Sequence, residues 1–263
     1  MDELNFTRSV LNWYDSGHRD LPWRRTKDAY SIWVSEIMLQ QTRAETVIPY
    51  YERFLSHYPD VYALASAPQE ELLKLWEGLG YYSRARSLQK AAQIIVSGHG
   101  GVLPADAEQL RALPGIGDYT SGAIAAIAFG IPVPAVDGNV ERVICRYFAI
   151  RDEMGSPAAR KRIQQQTQTL VPPDRPGAFA NAMMEMGAVM CTPKSPACLL
   201  CPVRVGCKGY AQGIVSELPV KPKKKAQRVE THCVMLVFCE NRVLTVVRRE
   251  KLLGGLSVFP DAA

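Results

Sequence analysis

Leu113-Pro114-Gly115-Ile116-Gly117-Asp118-Tyr119-Thr120 decides how this chain is read. A Pro-Gly turn with a second glycine close behind stands between two helical patterns, 105–113 and 120–129. Gly115 and Gly117 lack Cβ atoms, so their backbone N–H groups can approach a ligand closely. The helix that starts there adds the positive end of its dipole, and such a nest of amides suits a phosphate oxygen of a DNA backbone. The 120–129 segment is rich in Ala and Gly, so close packing against it is expected. Residues 131–136 then deliver Asp137 to the start of a helix whose apolar face is Val140, Val143, Ile144, Tyr147 and Phe148. Each half alone is also compatible with an ordinary αα-hairpin turn or an ordinary N-cap aspartate. The flanking sequence separates these readings.

At 263 residues the chain can hold a sizeable core and more than one domain. Its net charge of +5 permits a nucleic-acid partner without demanding one. No apolar run reaches the length of a membrane span, and the acidic start, Met1-Asp2-Glu3-Leu4, lacks a signal-peptide core. A cytosolic chain with no membrane partner is expected. In that compartment thiols stay reduced, so seven cysteines point to metal or cluster ligation rather than disulfides.

Helical periodicity dominates to about residue 210. Helices are expected over 4–14, 30–41, 47–57, 69–76, 84–97, 105–113, 120–129, 157–170 and 177–190, with Asp28 and Ser156 as caps. The 30–41 segment is apolar nearly all round, as a buried helix is, yet Glu36 sits in its middle. Burying a carboxylate is expensive unless it has a task. Residues 214–228, with Pro219, Pro222 and Lys223-Lys224-Lys225, read as a linker. Beyond it, 229–239 and 242–249 read as two strands joined at Glu240-Asn241. Two strands cannot close a domain of their own.

Two constellations carry chemistry. Cys191, Cys198, Cys201 and Cys207, spaced C-x6-C-x2-C-x5-C in a proline-stiffened loop, can surround one metal centre. Zinc and a [4Fe–4S] cluster both accept four thiolates, and the single C-x2-C pair favours the cluster. The second is a pair of carboxylates about a hundred residues apart. Hydrolysis of a glycosidic bond needs one carboxyl of raised pKa to protonate the leaving group and one ionised to face the oxocarbenium charge. Glu36 in its apolar helix and Asp137 at a helix start could fill that division. Carboxylates this distant in sequence are more often unrelated, and spacing alone does not pair them.

The hairpin 113–117, Asp137 and the four-cysteine loop together resemble the helix-hairpin-helix DNA glycosylases of the endonuclease III superfamily. Within it, Leu21-Pro22-Trp23-Arg24, Val34-Ser35-Glu36-Ile37-Met38-Leu39-Gln40-Gln41-Thr42, Gly78-Leu79-Gly80-Tyr81-Tyr82-Ser83-Arg84-Ala85 and Val136-Asp137-Gly138-Asn139-Val140 are similar to the MutY-type adenine glycosylases over residues 1–225. The resemblance implies an all-α, two-lobed fold with an iron–sulfur cluster loop and a short β segment at the C-terminus. Residues 26–129 would form a helical barrel domain, 1–25 with 130–213 a cluster domain, and 229–263 the start of a Nudix-like domain of which the rest is missing.

It further implies a monofunctional enzyme, monomeric, cytoplasmic at the bacterial nucleoid, that removes adenine opposite 8-oxoguanine or guanine in double-stranded DNA. Adenine buried in the stack must first be flipped out. By the same resemblance Glu36 is the general acid and Asp137 stabilises the oxocarbenium ion or attacks C1′. Tyr119 tunes both carboxylates and Asn139 supports Asp137. Arg24 contacts the base, with Asn181 where the family has Gln or Glu. Gln41 and Tyr81 wedge into the duplex, Thr42 and Leu79 contact DNA or the base, Gly115 and Gly117 hold a phosphate, and the four cysteines bind a [4Fe–4S] cluster. Three alternatives remain: an endonuclease III-like lyase, a thymine or uracil mismatch glycosylase, and a non-catalytic iron–sulfur DNA-binding protein. The lyase forms a Schiff base through a lysine that here is Tyr119, and no lysine occurs between Lys90 and Lys161.

Overall fold

The computed structural model describes residues 3–222, 233–248 and 257–262. They fall into two compact units, 1–222 and 223–263, taken separately below. The first unit is helical: α1 (Glu3–Ser16), α2 (Ala29–Leu39), α3 (Ala44–His57), α4 (Val61–Ser66), α5 (Gln69–Leu75), α6 (Ser83–His99), α7 (Ala107–Ala112), α8 (Asp118–Phe129), α9 (Gly138–Phe148), α10 (Pro157–Leu170), α11 (Pro176–Glu185) and α12 (Lys208–Ala211).

Two cores hold it together. In one, Trp33, Phe54, Trp76 and Leu88 pack among the helices between residues 21 and 125. In the other, Phe6 and Val10 of α1 fold back onto Val140 and Ile144 of α9, Ile163 of α10 and Phe179 of α11. The Ala/Gly-rich α8 lies between them and explains its own composition. A Cβ on Gly122 would lie 2.3 Å from the Pro134 carbonyl oxygen, and one on Gly177 of α11 would lie 2.8 Å from that of Ala126. Ala123, Ala126, Ala135 and Ala180 fill the seam.

Caps follow the sequence where it was clear. Asp28 accepts the Ser31 amide, and Ser156 caps α10 ahead of Pro157. Three expectations need revision. Helix 177–190 is an α-helix only to Glu185 and continues as a π-turn, Met186–Met190. There a Cβ on Gly187 would come within 2.4 Å of the Asn139 Cβ, so the start of α9 presses against this widened turn. Helix α4, capped by Asp60, had no periodicity long enough to show. The linker begins later than 214: Ile214 and Leu218 are buried, and Arg146 binds the Val215 and Leu218 carbonyl oxygens.

In the second unit the described residues form three short antiparallel ladders in place of two long strands. These pair β1 (Cys233–Val234) with β6 (Asp261–Ala262), β2 (Phe238–Cys239) with β3 (Arg242–Val243), and β4 (Val246–Val247) with β5 (Ser257–Val258). The expected turn at Glu240-Asn241 joins β2 to β3, Glu240 taking the left-handed conformation. The expected strand residues 229–232 and 249, the linker residues 223–228, and 252–256 of the Nudix-like motif lie outside the described residues.

The seam generates a paired test. Gly122→Ala pushes a methyl group into backbone and should destabilise by about 1–3 kcal/mol, whereas Gly98→Ala, with open space in α6, should gain about 0.5–1 kcal/mol, both read from urea unfolding.

Candidate active site

The exposed hairpin opens α8. Leu113 and Ile116 point into the core, which turns the intervening Gly115 and the helix-capping Gly117 outward. Gly115 has φ +80°, where a side chain is strained, and nothing lies within 4 Å of a Cβ built on Gly117. Two residues into the helix, Tyr119 turns inward. Its hydroxyl donates to Glu36 Oε2 at 2.6 Å and lies 2.9 Å from Met184 Sδ.

Glu36 sits on α2 at 3% exposure. Burial pushes its carboxyl up to about 7; the Tyr119 hydrogen bond opposes this, and the charge of Asp137 adds to it. The second carboxylate, Asp137, is the N-cap of α9. It accepts the Asn139 and Val140 amides at 3.0 and 2.8 Å, and the Asn139 side-chain amide at 2.8 Å. Burial leaves its pKa above the ordinary aspartate value, while those hydrogen bonds and the Arg142 guanidinium oppose the rise. Asn139 is itself held, its Oδ1 accepting from Arg142 Nη2 at 2.8 Å.

Glu36, Asp137, Tyr119, Asn139, Arg24, Gln41 and Thr42 all line one cleft of about 830 Å³. It is open to solvent and large enough for a nucleobase and its sugar. No lysine lines it. Two expected contacts lie elsewhere. The Leu79 side chain is buried in the first core, and its backbone N–H and carbonyl oxygen are taken by Trp76 and Arg84. Asn181 lines a neighbouring cavity that shares only Arg24 with the cleft, because α11 turns it to the other side of that arginine. Tyr81, 60% exposed, and the hairpin glycines stand outside the cleft on the surface.

The structure adds a network that the sequence reading missed. Glu185, buried in α11, accepts from Arg19 Nε at 2.9 Å and from Arg24 Nη2 at 2.8 Å. Burial alone would raise its pKa; the two arginines outweigh that and hold it at about 2. This ion pair fixes Arg24 in the cleft wall. The available signal was a lone carboxylate in Met183-Met184-Glu185-Met186, the same anomaly that exposed Glu36.

Cys191, Cys198, Cys201 and Cys207 line a single largely apolar cavity with Tyr147 and Val203, and none forms a disulfide. Arg146 Nη1 lies 3.4 Å from Cys191 Sγ, suited to a thiolate. Among the described residues no three potential ligands converge as one ion requires. Zinc, with bonds of about 2.3 Å, would draw its thiolates nearly into contact. Four thiols bordering one cavity are a donor set that fits a thiolate-ligated metal group.

A surface glycine hairpin that opens one helix, and a carboxylate that caps the next and borders the cleft, define the helix-hairpin-helix class of DNA-repair fold. Residues 34–173 match the model of the HhH-GPD superfamily of base excision DNA repair proteins. The adenine DNA glycosylase of Rattus norvegicus is 48% identical over 84% of this chain and 45% of its own length. That of Buchnera aphidicola subsp. Schizaphis graminum is 37% identical over 97% of this chain and 74% of its own. A thermostable thymine-DNA glycosylase of known structure superposes with a TM-score of 0.73 at 30% identity, covering 80% of this chain and 97% of that one. The chain belongs to the adenine DNA glycosylase family of the HhH-GPD superfamily. It spans about half the length of the mammalian relatives it matches.

The buried acid has a stability signature. The unfolded chain ionises Glu36 near its ordinary value of 4.5 and the folded chain near 7, so this group lowers stability as pH rises between the two. Glu36→Gln should therefore unfold at higher temperature than wild type at about pH 8, by up to about 3 kcal/mol, with the gain vanishing near pH 4.

Proposed function

We propose that the chain hydrolyses the N-glycosidic bond of adenine mispaired with 8-oxoguanine or guanine in duplex DNA, and leaves the strand uncut. The observation that carries this reading is that Glu36 and Asp137 line one cleft, the former holding its proton to about pH 7. A protonated Glu36 gives its proton to adenine N7 as the base leaves, then takes one from the incoming water. Asp137, dressed by three N–H donors, faces the positive charge that develops at C1′. Tyr119 holds the Glu36 carboxyl in place, and Asn139 fixes Asp137. Arg24, set by Glu185, contacts the base.

Gln41 and Tyr81 enter the duplex as the adenine is extruded, with Thr42 in contact with the DNA, while the outward amides at Gly115 and Gly117 hold a backbone phosphate. The absence of lysine from the cleft lining removes the amine that a Schiff-base lyase needs. The four cysteines hold a [4Fe–4S] cluster that ties the 191–207 loop to α9 through Arg146. In the same reading the second unit begins an 8-oxoguanine-recognition domain, and the enzyme acts as a monomer in the cytoplasm. No described helix is long and apolar enough to cross a membrane.

Single-turnover assays on A·8-oxoG, A·G, T·G and U·G duplexes test the reading. Adenine should be released fastest, leaving an abasic site that breaks only with alkali. The rate should fall as pH rises through about 7, as Glu36 loses its proton. Glu36→Gln should cost about 10²–10⁴-fold in rate with DNA affinity retained. Preferred release of thymine or uracil would move the protein to the mismatch branch, and an unimpaired Glu36→Gln would remove the mechanism. Iron and sulfide analysis should find about four of each per chain, lost in Cys198→Ser; one zinc instead would contradict the cluster.

A further inference from the structure

Arg84 does not line the cleft, yet its guanidinium is bonded to two separate turns of the first unit. It lies in the first turn of α6, largely buried, and no carboxylate lies within ion-pair distance among the described residues. A guanidinium buried without a counter-ion is costly, and burial lowers its pKa. What compensates it is a ring of carbonyl oxygens drawn from two separate turns.

On one side Nη1 lies 3.0 Å from the Ile37 oxygen, 2.8 Å from that of Met38, and within hydrogen-bond reach of that of Gln40. These belong to the end of α2, whose last carbonyls lack helical partners and carry the negative end of the dipole. On the other side Nη2 lies 3.0 Å from the Leu79 oxygen and 3.2 Å from that of Gly80, with Thr42 Oγ1 at 3.3 Å. The guanidinium also lies over the rings of Trp76 and Tyr81, at 5.4 and 5.6 Å.

Each of the two turns carries one non-glycine residue in left-handed backbone geometry: Gln41 at φ +58° and, after Gly80, Tyr81 at φ +47°. Neither is glycine, and strain of this kind persists only where surrounding structure enforces it. Both side chains are exposed. A single planar fork is thus bonded to both strained turns and to the end of the helix that carries Glu36.

We propose that Arg84 is a positioning residue that sets the spacing between Gln41 and Tyr81, so that the two enter the duplex as a preformed pair during base extrusion. The inference rests on the assignment of these two residues as the wedge. A lysine in the same place keeps the charge but offers one ammonium point, which cannot bridge both turns. Extrusion should then fail while the carboxylates stay intact, because Arg84 makes no contact with either.

The test uses the full chain and a duplex with 2-aminopurine at the target position, whose fluorescence rises when it leaves the stack. With DNA saturated, wild type should raise the fluorescence, and Arg84→Lys should lose most of that rise. Its excision of adenine opposite 8-oxoguanine should fall at least about tenfold, but less than about threefold for adenine opposite an abasic site, where no partner holds the base in. In a Gln41→Ala/Tyr81→Ala background Arg84→Lys should add nothing further. Equal loss on both substrates, undiminished fluorescence, or full additivity would overturn the proposal. Should Arg84→Lys not fold, Trp76→Phe loosens the same turn, since the Trp76 indole binds the Gly80 oxygen. It should show the same substrate-dependent loss on a smaller scale, and an equal loss would overturn the proposal. A wild type that raises fluorescence but releases no base would refute the glycosylase reading and leave the positioning role standing.

Discussion

The hydrogen bond from the Tyr119 hydroxyl to Glu36 is the contact on which the rest depends. It joins α8 to α2 at the bottom of the cleft, and it exists because burial leaves Glu36 no other hydrogen-bonded partner among the described residues. Desolvation pushes that carboxyl toward neutrality, and the phenol keeps it oriented without supplying a charge. Tyr119 stands in the first turn of the helix that Gly117 begins. One helix end therefore does two tasks in the proposed reaction: outward amides for a phosphate, and an inward hydroxyl for the acid. Moving the hairpin would move both.

Asp137 shows the complementary arrangement. An N-cap aspartate is ordinarily a structural device, and here the cap geometry is satisfied in full. Yet its carboxylate also borders the cleft, and the hydrogen bonds that cap the helix are those that favour its ionised form. The two acids thus differ by environment alone. Glu36 has desolvation and one donor; Asp137 has desolvation and three. Close packing supports the difference, because Gly187 lets the π-turn of 186–190 lie directly against Asn139.

How much of this was legible in the sequence follows from where each signal resides. Glu36 showed itself as a charge in an otherwise apolar helix, the cysteines by spacing, and the hairpin by its glycines. All are local. Arg84, Glu185 and Arg142 act through partners 40 to 160 residues away, and nothing at their own positions announces those partners. That Leu79 lies in the core and Asn181 in the neighbouring cavity was not legible, because resemblance assigns a position, whereas the direction of a side chain is set by packing. The late start of the linker has the same origin: Arg146 holds residues 215 and 218, which proline content alone could not reveal.

The central claim is that Glu36 stays protonated to near neutrality because it is desolvated in the cleft. Carbon-13 NMR of selectively labelled glutamate carboxyls, with Glu36→Gln to assign the resonance, measures this directly. The midpoint should lie near pH 7 and rise further in Tyr119→Phe, since that hydrogen bond favours the ionised form. A midpoint close to the ordinary value of 4.5, or one that falls when the phenol is removed, would contradict the claim.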